Sequence, residues 1–153
     1  MAGIQLVASG EKWIGYGISS FSSAIENLMD SSTDELVMTV YVITDKMIID
    51  KLTRALDRGV SVNIFINDSP DQKTKMMERV IRLSQEYSHL GVHLIKDKML
   101  HAKVLVADMQ RVLMGSANPT FKGMVTNYEM GVLIEDGQIA GEIVTLLWKL
   151  KTK

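Results

Sequence analysis

The sequence predicts an α/β fold: a mixed, largely parallel β-sheet flanked by helices on both faces, in one domain over residues 1–153. Three observations predict it. Between Glu35 and Ile66 a strand, a helix and a strand follow in short order, the pattern of a right-handed parallel crossover. Farther along, apolar stripes at helical spacing alternate with short runs of β-branched residues. The 153 residues suffice for one core, and no long linker, low-complexity segment or internal repeat divides them.

Each element has its own signal. Ile4–Ala8 reads as a short first strand. A loop rich in Gly and Ser follows, and Ser19 or Ser20 can cap a helix near Phe21–Met29. Glu35–Ile43, rich in Val, Thr and Tyr, reads as a buried strand. Thr44 offers a cap to a helix with its apolar stripe on Ile48, Leu52, Ala55 and Leu56, which Gly59 ends. Val60, Val62, Ile64 and Ile66 alternate as a strand. Ser69-Pro70 opens the next helix, with Pro70 at its first position. Met76, Val80, Leu83 and Tyr87 share one face of it, and Gly91 stops it. Val92–Ile95, Ala102–Ala107, Arg111–Met114 and Tyr128–Ile134 are further strands. The last helix carries Ile139, Ile143, Leu146, Leu147 and Leu150 on one side.

Composition narrows the function classes. The net charge of −1 argues against a general nucleic-acid coat but leaves room for a local basic groove. Cysteine is absent, so there is no disulfide framework and no thiolate metal site. The first residues lack a basic stretch followed by an apolar one, and no apolar run approaches the roughly 20 residues of a membrane span. A cytoplasmic location without stable membrane association is the expectation.

The chemistry gathers between His101 and Glu129. In a strand from His101 to Asp108, His101 and Lys103 share a face. A turn at Met109-Gln110 then sets Lys103 opposite Ser116 and His101 opposite Asn118. Imidazole, ammonium, hydroxyl and carboxamide would form one cluster. Asp108 falls about 23 Å from His101 along an extended strand, which assigns it to the turn. Lys103, Ser116 and Asn118 can hold phosphate oxygens as charge builds in a transition state. Neutral imidazole is a competent nucleophile near pH 7, and its attack on phosphorus gives a phosphohistidine. Glu129 can fix the imidazole tautomer. No paired acidic cluster suggests a metal, and no cofactor is expected. The leaving oxygen still needs a proton, and the chain has one His-x-Lys. A homodimer supplies the missing acid as a second His101.

At these residues a family resemblance emerges. His101-x-Lys103-x4-Asp108-x6-Gly115-Ser116-x-Asn118 resembles the HKD motif of the phospholipase D superfamily. Asn127-Tyr128-Glu129 looks like its downstream element, and Ala24-Ile25, Tyr41, Leu52, Ala55-Leu56 and Arg58–Val62 look similar to its earlier part. The likeness covers nearly the whole chain. It implies a phospholipase D-like half domain, similar to small single-copy members such as bacterial endonucleases of the Nuc type. It also implies a metal-independent, two-step displacement. His101 would be nucleophile or partner acid, Lys103 and Asn118 phosphate ligands, Ser116 a site residue and Glu129 a partner of the histidine. Asp108 and Gly115 would belong to the structural part of the motif.

The expected function is therefore that of a phosphodiesterase, a nuclease acting on DNA or RNA. Two alternatives stand beside it: a lipid phosphodiesterase of phospholipase D type, and a non-catalytic phosphate- or nucleic-acid-binding scaffold domain of a larger protein. Other features carry less. His89 and His93 are four apart, but Gly91 between them argues against a helical ligand pair. The many methionines fit core or dimer packing. Lys73, Lys75, Arg79 and Arg82 follow one helix face and fit a solvated surface better than a groove.

Overall fold

The structure, a computed structural model, describes residues 3–41, 44–68 and 74–151. One eight-stranded sheet runs through it. Its strands are β1 (Gly3–Ser9), β2 (Ser19–Ser20), β3 (Glu35–Val40), β4 (Ser61–Asn67), β5 (Leu90–Ile95), β6 (Val104–Ala107), β7 (Arg111–Gly115) and β8 (Glu129–Glu135). They lie in the order β2-β1-β8-β7-β6-β3-β4-β5. The sheet is mixed, and all its strands run one way except β6 and β8. Tyr41 follows directly on β3, while Ser69-Pro70 and the helix opening read there lie outside the described residues.

Among the described residues four α-helices flank the sheet: α1 (Phe21–Ser31), α2 (Lys46–Asp57), α3 (Lys75–Glu86) and α4 (Gly137–Lys149). Their caps explain where they start. Ser20 accepts from the Ser23 amide, Asp45 from Met47 and Thr74 from Met77, each satisfying an N–H that the helix leaves free. The cap of α2 is thus Asp45 and not Thr44, because the carboxylate reaches the amide two residues on. Gly59 ends α2 in the left-handed region, at φ 89°, as its position predicts. Gly91 does not stop α3. That helix ends at Glu86, Tyr87 takes up extended backbone, and Gly91 sits inside β5. A Cβ there would meet the Asn63 Oδ1 at 2.5 Å, so close packing explains the glycine.

Helices α1, α2 and α3 bury Leu28, Ile49, Leu52, Leu56 and Val80 on one face, against Leu36, Ile64, Leu105 and Leu113 of the sheet. On the other face α4 buries Ala140, Val144 and Leu147 against Val37, Phe65, Val106 and Val112. Neighbours along β6 and β7 alternate between the two clusters, as strand geometry requires. Among the described residues no helix is long and apolar enough to cross a membrane.

Candidate active site

The candidate site lies at the end of the sheet where β3 and β7 stop and β6 and β8 begin. Two buried polar side chains shape it. Asn67 Oδ1 accepts from the Leu100 amide at 2.9 Å. The Thr39 hydroxyl donates to the Ala102 carbonyl at 2.6 Å and accepts from the Val104 amide at 3.0 Å. These bonds replace the ladder beyond Leu105, so the chain leaves the sheet between two fixed points. His101 and Ala102 emerge exposed in that span.

His101 and Lys103 do stand together. The Lys103 ammonium lies 3.1 Å from Nδ1 of His101 and donates to the His101 carbonyl at 2.9 Å. The Tyr41 ring packs against the imidazole with centroids 4.9 Å apart, and the ammonium lies 5.8 Å from the Tyr41 centroid. Burial lowers the Lys103 pKa from its ordinary value, while the Glu129 carboxylate works against that shift.

The hairpin register differs from the expected one. Ala107, and not Asp108, faces Arg111, and Val104 faces Met114. The loop holds three residues instead of two. Asp108 and Met109 both take φ 55°, and the Gln110 amide closes the turn on the Ala107 carbonyl. Gly115 therefore bonds to Lys103, and the cross-strand pairs Lys103–Ser116 and His101–Asn118 do not form. The segment still passes beside Lys103 by another route. Gly115, Ala117 and Pro119 line a small apolar cavity together with Lys103, Thr39 and Phe21. Ser116 is pinned to β8, its hydroxyl bonding to the Met130 carbonyl and amide. Among the described residues the buried Oδ1 of Asn118 has no hydrogen-bond partner, an acceptor left open. Glu129 accepts from the Asn127 amide group at 3.2 Å; its bearing on the site is the charge felt by Lys103.

Gly115 is needed for packing. A Cβ there would lie 2.6 Å from the Gly131 Cα and 2.9 Å from the Phe21 ring. Asp108 sits at the far end of the hairpin, where it accepts from the amides of Thr33, Asp34 and Glu35. Burial opposes its ionisation, but those amides and the Arg111 guanidinium outweigh it and hold the carboxyl below its ordinary value. His89 and His93 are engaged elsewhere, near the Leu56 carbonyl and the Asn63 side chain. Among the described residues no group of three or more His, Asp or Glu side chains could hold a metal. Reading the sequence missed Thr39, Tyr41 and Asn67 as site builders. Their signal, polar and aromatic residues at the ends of two apolar strands, is visible only once the topology is known.

A family model for the PLD-like domain of cardiolipin synthase matches residues 25–151. The chain belongs to the phospholipase D superfamily. This phospholipase D-like chain is 26% identical to the DISARM protein DrmC of Bacillus paralicheniformis over 137 residues, which span 86% of the chain and 56% of DrmC. It is 29% identical to a cardiolipin synthase of Staphylococcus aureus over 148 residues, 92% of the chain and 28% of the synthase. The chain thus spans about half of the first relative and under a third of the second. In fold it matches Nuc, a phospholipase D family member from Salmonella typhimurium, with a TM-score of 0.80 at 20% identity, over 97% of this chain and 93% of Nuc. NucT from Helicobacter pylori matches with a TM-score of 0.79 at 18% identity, over 98% and 96%.

Proposed function

We propose that this chain is a metal-independent phosphodiesterase that cleaves DNA or RNA through a phosphohistidine on His101, in a site shared by two copies. The observation that carries the reading is His101 itself: an exposed imidazole on a short segment fixed at both ends, with an ammonium 3.1 Å from its ring.

In the proposed reaction a phosphate oxygen takes the Lys103 ammonium from the ring nitrogen, because a charged acceptor binds it more strongly. The freed imidazole attacks phosphorus, and the bond from phosphorus to the leaving oxygen breaks. That oxygen takes a proton from His101 of the second copy. The same second histidine then removes a proton from water. Hydroxide attacks the phosphohistidine, the P–N bond breaks, and both imidazoles return to their starting state. Asn118 and Ser116 join Lys103 as phosphate ligands, and Glu129 orients a histidine and balances the charge of Lys103.

A lipid phosphodiester is the second reading. The apolar cavity beside Lys103 and the likeness to cardiolipin synthases favour it. An activity panel in excess chelator separates the two, with single-stranded and duplex DNA, RNA and phospholipid vesicles as substrates and His101→Ala as control. Cleavage of nucleic acid, lost in His101→Ala, is the expected result. Turnover of vesicles alone would move the assignment to lipid, and activity that requires added magnesium would reject the mechanism.

A further inference from the structure

We propose that aromatic side chains in the loops after β1 and β7 form a platform on which unpaired bases of a single strand stack beside the scissile phosphate. Of the five exposed aromatic residues among the described ones, four stand in these two loops: Trp13, Tyr16, Phe121 and Tyr128. Tyr16 is 76% exposed, Phe121 59%, Tyr128 50% and Trp13 37%. The fifth, Trp148, packs against Phe65 and His93. Two of the loop rings are held in place. The Ser9 hydroxyl donates to the Asn127 carbonyl at 2.8 Å, and the Gly10 amide to the Val125 carbonyl at 3.2 Å. These bonds tie the start of one loop to the end of the other. Tyr128 lies over Gly10, where a Cβ would collide with its ring, and Trp13 packs on Tyr128 with centroids 5.1 Å apart. The pair is fixed before a ligand arrives, which lowers the entropic cost of binding.

The platform adjoins the candidate site. Tyr128 precedes Glu129, whose charge reaches Lys103, and Ser9 faces Glu129 across β1 and β8. Two exposed cations flank the rings, Lys12 just before Trp13 and Lys122 just after Phe121. Ammonium groups for the backbone, interleaved with rings for the bases, are the chemistry of a single-strand surface. In a duplex the flat faces of the bases are covered by stacking, and only phosphates and groove edges show. An unpaired strand presents both phosphate and open base faces. A lipid headgroup offers no flat face to match two fixed rings. The choice of nucleic acid as occupant rests on the phosphodiesterase reading above; the fixed, exposed rings stand without it.

The test is binding of labelled oligonucleotides to the full chain, read by fluorescence anisotropy in the His101→Ala background, which blocks cleavage. The probes are a single strand of mixed bases, the same strand with every base replaced by an abasic site, and a blunt duplex. Trp13→Ala and Tyr128→Ala are compared with Tyr128→Phe and, outside the platform, Trp148→Phe, and circular dichroism checks that each variant folds. The base-bearing strand is expected to bind about tenfold more tightly than the abasic strand or the duplex, and each alanine variant to lose about tenfold. Tyr128→Phe and Trp148→Phe keep the affinity. With Trp148→Phe in place Trp13 is the sole tryptophan, and its emission falls as the base-bearing strand binds. Equal affinity for the base-bearing and abasic strands, or affinity unchanged in both folded alanine variants, overturns the proposal. So does binding to anionic phospholipid vesicles that Trp13→Ala abolishes, with no preference for the base-bearing strand, which would assign the rings to a membrane. The two readings fail separately. If the parent chain binds strands through their bases yet cleaves none, the platform stands and the phosphodiesterase reading falls. If it cleaves base-bearing and abasic strands equally well, the platform alone is refuted.

Discussion

The least evident residue in the candidate site is Thr39. Its hydroxyl holds two backbone groups of the segment that carries His101 and Lys103. Thr39→Val leaves the Val104 amide buried and unpaired, at a cost of about 1–3 kcal/mol. The expected outcome is a lower unfolding midpoint in urea together with a loss of kcat larger than a change in KM. Tyr41 packs on the His101 ring, and Tyr41→Phe is expected to retain activity where Tyr41→Ala loses it. Lys103 titrates with a defined sign. Burial already lowers its pKa, and Glu129 opposes that shift. Glu129→Gln removes the opposing charge, so the alkaline limb of the pH profile of kcat/KM moves to lower pH. An unmoved limb would remove Lys103 from the phosphate cradle. At this scale the nearness of Lys103 to His101 was legible in the sequence, because two residues on one segment need no tertiary information. Thr39 and Asn67 lie more than thirty residues from the groups they hold, and no local pattern announces them.

At the scale of elements, the hairpin from β6 to β7 shows where local reasoning fails. Its loop has no glycine, so nothing marked Asp108 and Met109 as left-handed, and the register was read one residue off. The assignment of Asp108 to structure was legible from distance alone, and its three amide bonds explain what it does there. Its folded pKa lies below the unfolded value, so its stabilisation is present at neutral pH and is lost as pH falls through the folded value. Asp108→Asn is expected to lower the urea midpoint at pH 7 and to lose that deficit below about pH 4. A constant difference across this range would contradict it. The paired glycines of β7 and β8 give a second prediction at this scale. A Cβ at Gly131 would lie 2.7 Å from the Phe21 ring and 2.5 Å from the Met114 carbonyl. Gly131→Ala is therefore expected to separate the strands and destabilise the fold by about 1–3 kcal/mol, read as a lower Tm. The parallel crossover through α2 and the amphipathic helices were legible, since periodicity carries them. The two-residue β2 was not, being too short to show any alternation.

For the whole molecule, sheet direction and layer order place the ends of β3 and β7 beside the starts of β6 and β8, and this juxtaposition assembles the candidate site. The central claim is that His101 carries the phosphoryl group. It is tested most directly by trapping the intermediate. The full chain is mixed with a phosphodiester substrate in chelator, quenched in alkali, where phosphohistidine survives, and digested for mass spectrometry. The account predicts that the peptide containing His101 carries the phosphoryl group still esterified to the retained half of the substrate, an adduct absent in His101→Ala. Turnover with no adduct on that peptide, or with the adduct on Ser116, would contradict it.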